Sequence, residues 1–268
     1  MNPRHACLAC LERTPPALFE AGLWIAAEHD AKVEPERVMR ELRALQHEVS
    51  NDLPLLPLNE LAQPLLRKLC ALGFQEDEYH PLRPHAALLD QLLLRRRGQP
   101  LALALLGLEL ARGLSIPLEG VNFPGHFLLR VPGADHLLDP CGGRRLYPAD
   151  CRELLGRQFG PQVPLTAEHL KTATAKEMIQ RLSRNLRQLH STHGDDIAAL
   201  KDAERVMELG APLTSDYLAR ATLYQHLDCP QAERYDLEHA LLLTDDPIQR
   251  LRLTERLGHL PSGKRSVH

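Results

Sequence analysis

Fourteen histidines and six cysteines are the side chains of this chain best suited to hold a metal or to act as nucleophile and base. Cys7 and Cys10 form a Cys-x-x-Cys with His5 beside it. A structural zinc needs a second ligand pair at matching spacing. None follows, so burial of the two thiols is expected, and no metal or cofactor. Cys141 stands in Asp-Pro-Cys-Gly-Gly. Nothing in its spacing places it at a helix N-terminus, where a thiolate would be favoured. A small residue in a Gly-rich turn is the plainer reading. Cys70, Cys151 and Cys229 read as packing residues. His126 follows Pro124-Gly125 and opens an apolar run, and the other histidines do not cluster at ligand spacing. The one basic cluster, Arg95-Arg96-Arg97, reads as a solvated helix end or as an anion contact.

The elements that would position these residues are mostly helical. Residues 4 to 48 read as two helices, the first interrupted at Pro15-Pro16 and the second marked by Val38, Leu42, Leu45 and Val49. Pro54 and Pro57 make a loop. Leu61 to Leu72 returns to helix with Gly73 as a C-cap, residues 74 to 85 read as an irregular polar connection, and His85 to Arg96 as another helix. The stretch "GQPLALALLGLELARGLSIPLEG" then begins at Gly98. Pro100 suits the first helical turn, where its missing N–H costs nothing. Leu101 to Ala111 is apolar on every side, which predicts a helix surrounded by protein. Gly107 lets another element approach, Gly113 ends the helix and Pro117 prevents its restart. Leu118–Asn122, His126–Val131 and Asp135–Leu138 are three short strand-like runs separated by Pro-Gly turns, a β-meander pattern. The chain reads as helical again after Asp150, with Pro161 and Pro164 in a linker.

In the C-terminal third, Ala198 and Ala232, Leu189 and Leu223, and Leu209 and Leu243 each stand 34 residues apart. That is the tetratricopeptide period. Pro212 and Pro247 follow successive helix pairs, loosely where that repeat places its proline.

At 268 residues, two domains are expected. A net charge of −3 with interspersed signs argues against nucleic-acid binding. No stretch approaches the roughly 18–20 apolar residues of a membrane span. The N-terminal "MNPRHACLACLERTPP" lacks the apolar core of a signal peptide. Six scattered cysteines fit reduced thiols. A cytoplasmic protein is expected.

A buried helix opened by Gly-x-x, a Ser-Ile-Pro step, a strand, a His before the next strand and an Asp-Pro after the third together resemble the core of the transglutaminase-like, papain-related fold. More closely, "RRRGQPLALALLGLELARGLSIPLEGVNFPGHFLLRV" and "LLDPCGGRRLYPADC" resemble the bacterial SirB-type transglutaminase-like proteins with a tetratricopeptide tail. Where those proteins tend to carry Asn-Ser, this chain has His85-Ala86. The resemblance implies an α+β fold: a mostly helical transglutaminase-like domain with a small antiparallel sheet over residues 1–160, and a helical tetratricopeptide-like tail over 170–262.

In the transglutaminase-like fold the helix-start residue is a nucleophilic cysteine, the strand histidine its base and the aspartate the group that orients the imidazole. Carried over, the base falls on His126, its partner on Asp139 and the nucleophile position on Pro100, which has no nucleophilic atom. Gln99, Asn122, His126 and Cys141 are the expected ligand-binding residues. The resemblance thus implies a non-catalytic protein- or peptide-binding adaptor or regulatory factor, with a protein or peptide partner held by the tail. The alternative is an amide-bond hydrolase or acyl transferase that uses His126 and Asp139 without the usual cysteine.

Overall fold

The computed structural model describes residues 2–261. They divide into two compact units, one up to Leu182 and one from Ser183, farther along the chain than the linker at Pro161 and Pro164.

The first unit opens with three helices, α1 (Pro3–Leu11), α2 (Leu18–His29) and α3 (Pro35–Asn51), where two were expected. The break at residues 12–17 is complete, because Pro15 and Pro16 cannot supply the amides a continuous helix needs. Helix α4 (Ala62–Ala71) ends at Gly73, whose φ of +93° makes it the left-handed residue expected there. The polar connection that follows contains a strand the sequence reading lacked. β1 (Gln75–Glu76) pairs in parallel with β2 (Arg97–Gly98). Between them lies α5 (Leu89–Arg95), shorter than expected, because Pro84–Ala86 forms a separate 3-10 turn.

Helix α6 (Pro100–Gly113) is the centre of the unit. Every residue from Leu101 to Ala111 is buried. Burying a Leu side chain contributes roughly 1.5–3 kcal/mol, so this helix anchors the domain. Two glycines allow its close packing. A Cβ on Gly98 would meet Leu92 Cδ1 at 2.9 Å and the Ala86 carbonyl oxygen at 3.0 Å. A Cβ on Gly107 would lie 3.1 Å from Leu66 Cδ2 of α4. Gly113 is not the left-handed residue that ends the helix; that is Ser115, at φ +58°. Gly113 instead makes room for the Gln46 side chain, which a Cβ would overlap.

A four-stranded antiparallel sheet follows in chain order: β3 (Glu119–Val121), β4 (Leu128–Arg130), β5 (Leu137–Leu138) and β6 (Arg145–Leu146). Three of these strands were expected. The fourth is two residues long and carries no periodicity to read. Helix α7 (Pro148–Phe159) packs Cys151 and Leu155 onto Val121, Phe123 and Leu146 of the sheet region.

The division between the units falls inside α8 (Ala175–Thr192). In the second unit α9 (Asp196–Leu209), α10 (Thr214–His226), α11 (Pro230–Leu243) and α12 (Pro247–His259) are joined by turns of three or four residues. Three of the four starts have a plain physical cause. Asp195 caps α9 through the Ala198 amide at 2.9 Å, Asp246 caps α12 through the Ile248 amide at 2.9 Å, and Pro230 sits in the first turn of α11. Helices α9 and α11 begin 34 residues apart, at Asp196 and Pro230. Arginines paired with buried carboxylates join the helices: Arg184 and Arg187 of α8 to Asp216 of α10 at 2.7 and 3.1 Å, Arg220 of α10 to Asp236 of α11 at 2.7 Å, and Arg256 of α12 to Glu233 of α11 at 2.8 Å. Among the described residues, no helix is long and apolar enough to cross a membrane.

Candidate functional site

A cavity of about 220 Å³ lies in the first unit. Pro100, His126, Asp139 and Cys141 line it together with Glu76 and Arg144. Four positions singled out in the sequence, from three separate segments, therefore share one wall. Pro100 brings the N-terminal end of α6 to the cavity. The short β1 strand delivers Glu76, which the sequence reading missed because it lies in a polar connection with no pattern. Arg144 arrives from the turn between β5 and β6.

That turn explains the state of Asp139. Gly142 and Gly143 take φ values of +91° and +71°, which only glycine adopts without strain. The chain folds back so that the Asp139 amide donates to the Arg144 carbonyl and the Gly143 amide to the Asp139 carbonyl, both at 2.9 Å. The side chain is drawn into the same turn. Asp139 Oδ1 accepts from the Cys141 amide at 2.8 Å.

The expected hydrogen bond between His126 and Asp139 is absent from the described residues. His126 does not open a strand either. Pro124 has no amide to donate and Gly125 takes φ +74°, so a turn occupies residues 123–126, closed by the His126 amide on the Phe123 carbonyl at 3.0 Å. Strand β4 starts two residues later, and His126 is exposed at the cavity. An exposed imidazole at a cavity wall can accept a proton or hydrogen-bond a polar ligand.

Cys141 is chemically quiet. Burial pushes its thiol up, and the negative charges of Asp139 and Glu76 push the same way. The thiolate is the nucleophilic form, and these surroundings disfavour it. Of the other thiols, Cys151 is buried, Cys70 partly buried and Cys229 exposed. Cys7 and Cys10 are both fully buried on α1, and burial together with Glu20 pushes the Cys10 thiol up to about 12.

Two of the expected ligand-binding residues are not in the lining. Gln99 donates through its side chain to the Pro81 carbonyl at 3.2 Å, and its amide bonds the Ala86 carbonyl. Asn122 Oδ1 accepts from Arg181 at 3.4 Å, and Arg181 also bonds the Phe123 carbonyl at 3.1 Å. Both therefore hold loops beside the site. The basic triplet is also structural. Arg95 pairs with buried Asp77 at 2.9 Å, Arg96 donates to the Leu72 carbonyl at 2.6 Å, and Arg97 donates to Gln75 at 2.8 Å.

Asp77 is the buried acid that sequence reading missed. It is 1 % exposed, accepts from the His80 amide at 2.9 Å and lies 3.7 Å from His85 Nε2. Burial alone would raise its pKa, but the His80 amide and the Arg95 guanidinium outweigh burial and hold it below the usual carboxylate value. Burial, and then Arg95, push His85 down.

The α+β architecture, a buried helix packed on a small antiparallel sheet, and the cavity at that helix's N-terminal end define a transglutaminase-like domain. The model of the transglutaminase-like superfamily matches residues 36–184. A UPF0162 protein of Pseudomonas aeruginosa is 59 % identical over 270 residues, covering 100 % of both chains. A UPF0162 protein of Xylella fastidiosa is 33 % identical over 90 % of this chain and 89 % of its own. Human F-box only protein 21 is 34 % identical over 58 % of this chain, which is 26 % of its own length. The chain belongs to the transglutaminase-like superfamily and, within it, to the UPF0162 proteins.

Proposed function

We propose that this is a non-catalytic transglutaminase-like protein of the SirB type that acts as a protein- or peptide-binding adaptor or regulatory factor. The observation that carries the reading is Pro100. It lines the cavity with His126 and Asp139 at the position where the wider transglutaminase-like, papain-related fold has a nucleophilic cysteine and where the SirB-type signature itself carries proline. Burial and the neighbouring Asp139 and Glu76 disfavour the thiolate of Cys141, the other candidate nucleophile in the lining. What is left is a pocket with an exposed imidazole and three charged side chains, Glu76, Asp139 and Arg144, suited to a polar peptide segment.

The second unit supports a protein partner. Its helix starts recur at the spacing of a tetratricopeptide-like array, an architecture that offers an extended binding surface. Leu242, Leu243, Ile248 and Leu251 are exposed at the end of α11 and the start of α12, apolar side chains that a protein partner could cover.

The test is equilibrium binding of a defined pool of short peptides to the full chain, to its His126→Ala variant and to a Leu243→Glu/Leu251→Glu variant. The proposal predicts retention of peptides by the wild type and loss of a subset with either variant. If the wild type retained none, or both variants retained all, the reading would fall.

A further inference from the structure

The polar wall of the Pro100 cavity carries charge that the protein itself does not pair. Glu76, His126 and Arg144 line the cavity and are exposed. Among the described residues, their side chains make no hydrogen bond and no ion pair. Other arginines of this unit are engaged: Arg95 with Asp77, Arg97 with Gln75 and Arg130 with Glu119. Asp139 adds a second carboxylate to the wall, half-buried, with Oδ1 on the Cys141 amide.

Sign and size narrow the ligand. Both carboxylates push the Cys141 thiol up, so their charges converge on the side of the cavity where that thiol lies. Glu76 and Asp139 against Arg144, with the imidazole neutral, leave the wall with negative charge in excess, which favours a ligand of net positive charge. The rest of the lining is largely apolar, with Leu128 and Leu146 buried and Leu154 partly buried. At about 220 Å³ the cavity is smaller than the roughly 300–1,000 Å³ of sites that enclose a drug-sized ligand, which suits the end of a chain rather than a run of residues. A lysine ammonium would meet the carboxylates but bring no acceptor for Arg144 close behind it. The first residue of a peptide carries its ammonium, a carbonyl oxygen and a side chain together. A free amino acid carries a full carboxylate in place of that carbonyl and has no net charge.

We infer that the cavity receives the free amino end of a peptide whose first residue is apolar, with the α-ammonium on Glu76 and Asp139, the carbonyl oxygen of that residue on Arg144 and its side chain against Leu128, Leu146 and Leu154. The inference rests on the peptide-binding reading and names the end of the peptide that this site takes.

The probe is the tripeptide Leu-Gly-Gly as its C-terminal amide, titrated calorimetrically against the full chain. Three controls run beside it: the same peptide N-acetylated, N-acetyl-Gly-Lys-Gly amide, and free leucine. The expected result is saturable binding of the free-amino peptide in the high-micromolar to millimolar range. Each control should bind about tenfold more weakly or not at all. Glu76→Gln should weaken the peptide about fivefold, the loss of one charge-assisted contact at an exposed site, and Arg144→Gln about threefold. Both side chains are exposed, so an unchanged thermal midpoint should show that the variants fold. Absence of binding by the free-amino peptide, a lysine peptide or leucine that binds as tightly, or Glu76→Gln without effect would each overturn the assignment. If the acetylated peptide bound as tightly as the free one, this inference would fall while the peptide-binding reading stood.

Discussion

The carboxylate of Asp139 accepts a hydrogen bond from the amide of Cys141 at 2.8 Å, two residues farther along the same turn. This contact keeps the carboxylate beside a half-buried thiol. It also engages the acid that the resemblance assigns to His126. Removing that charge should let the thiol ionise more readily. Asp139→Asn is expected to make Cys141 alkylate severalfold faster at mildly alkaline pH. In the wild type, exposed Cys229 should react well before Cys141. Mass-spectrometric mapping of iodoacetamide labelling over time reads both.

Gly98 should tolerate no side chain. Its Cβ would press on Leu92 and on the Ala86 carbonyl, which is backbone and cannot move away cheaply. Gly98→Ala is expected to destabilise the domain by about 1–3 kcal/mol. Gly107→Ala, facing only the tip of a leucine side chain, should cost less. Urea unfolding of the two variants checks the order.

Asp216 should dominate the stability of the helical tail. It is buried, accepts from Arg184 and Arg187, and caps α10 through the Leu213 amide at 3.0 Å. Asp216→Ala leaves two arginines without their partner and the helix without its cap. A loss of about 2–4 kcal/mol is expected. Amide hydrogen exchange should show it across α8 to α10.

Acid should weaken both units. Burial would raise the carboxyl pKa values of Asp77 and Asp216, but hydrogen bonds and arginine charges outweigh burial and hold both below the ordinary 3.8. A carboxyl depressed in the folded state contributes stability above its unfolded pKa and loses it as pH falls through the folded one. His85 adds an earlier step. Its folded pKa lies below 6.5, so the unfolded chain takes up the proton first and stability begins to fall as pH drops below that value. Denaturant midpoints across pH should show two stages, and His85→Gln should remove the first and leave the second.

The sequence made some of this legible and hid the rest for physical reasons. The run from Leu101 to Leu108 announces a buried helix because it has no polar residue. The Pro-Gly pairs announce turns between strands, and a 34-residue recurrence matches the starts of α9 and α11. The two-residue strands β1, β2 and β6 are too short to show alternation. They exist because tertiary neighbours offer them partners, so Glu76 and Arg144 could not be placed at the site in advance. That Asp139 bonds the Cys141 amide rather than His126 was hidden by the Gly142-Gly143 turn, whose left-handed residues fold the carboxylate back onto its own loop.

The central claim is that the cavity at Pro100 binds without turning its ligand over. The most direct measurement is the mass of every peptide in a defined pool after incubation with the wild-type chain, alongside Pro100→Cys and His126→Ala. The account predicts unchanged peptide masses with the wild type, and in Pro100→Cys a new thiol that alkylates faster than Cys141. Cleaved or acyl-transferred peptides produced by the wild type and lost in His126→Ala would contradict it and establish an enzyme that works without the cysteine.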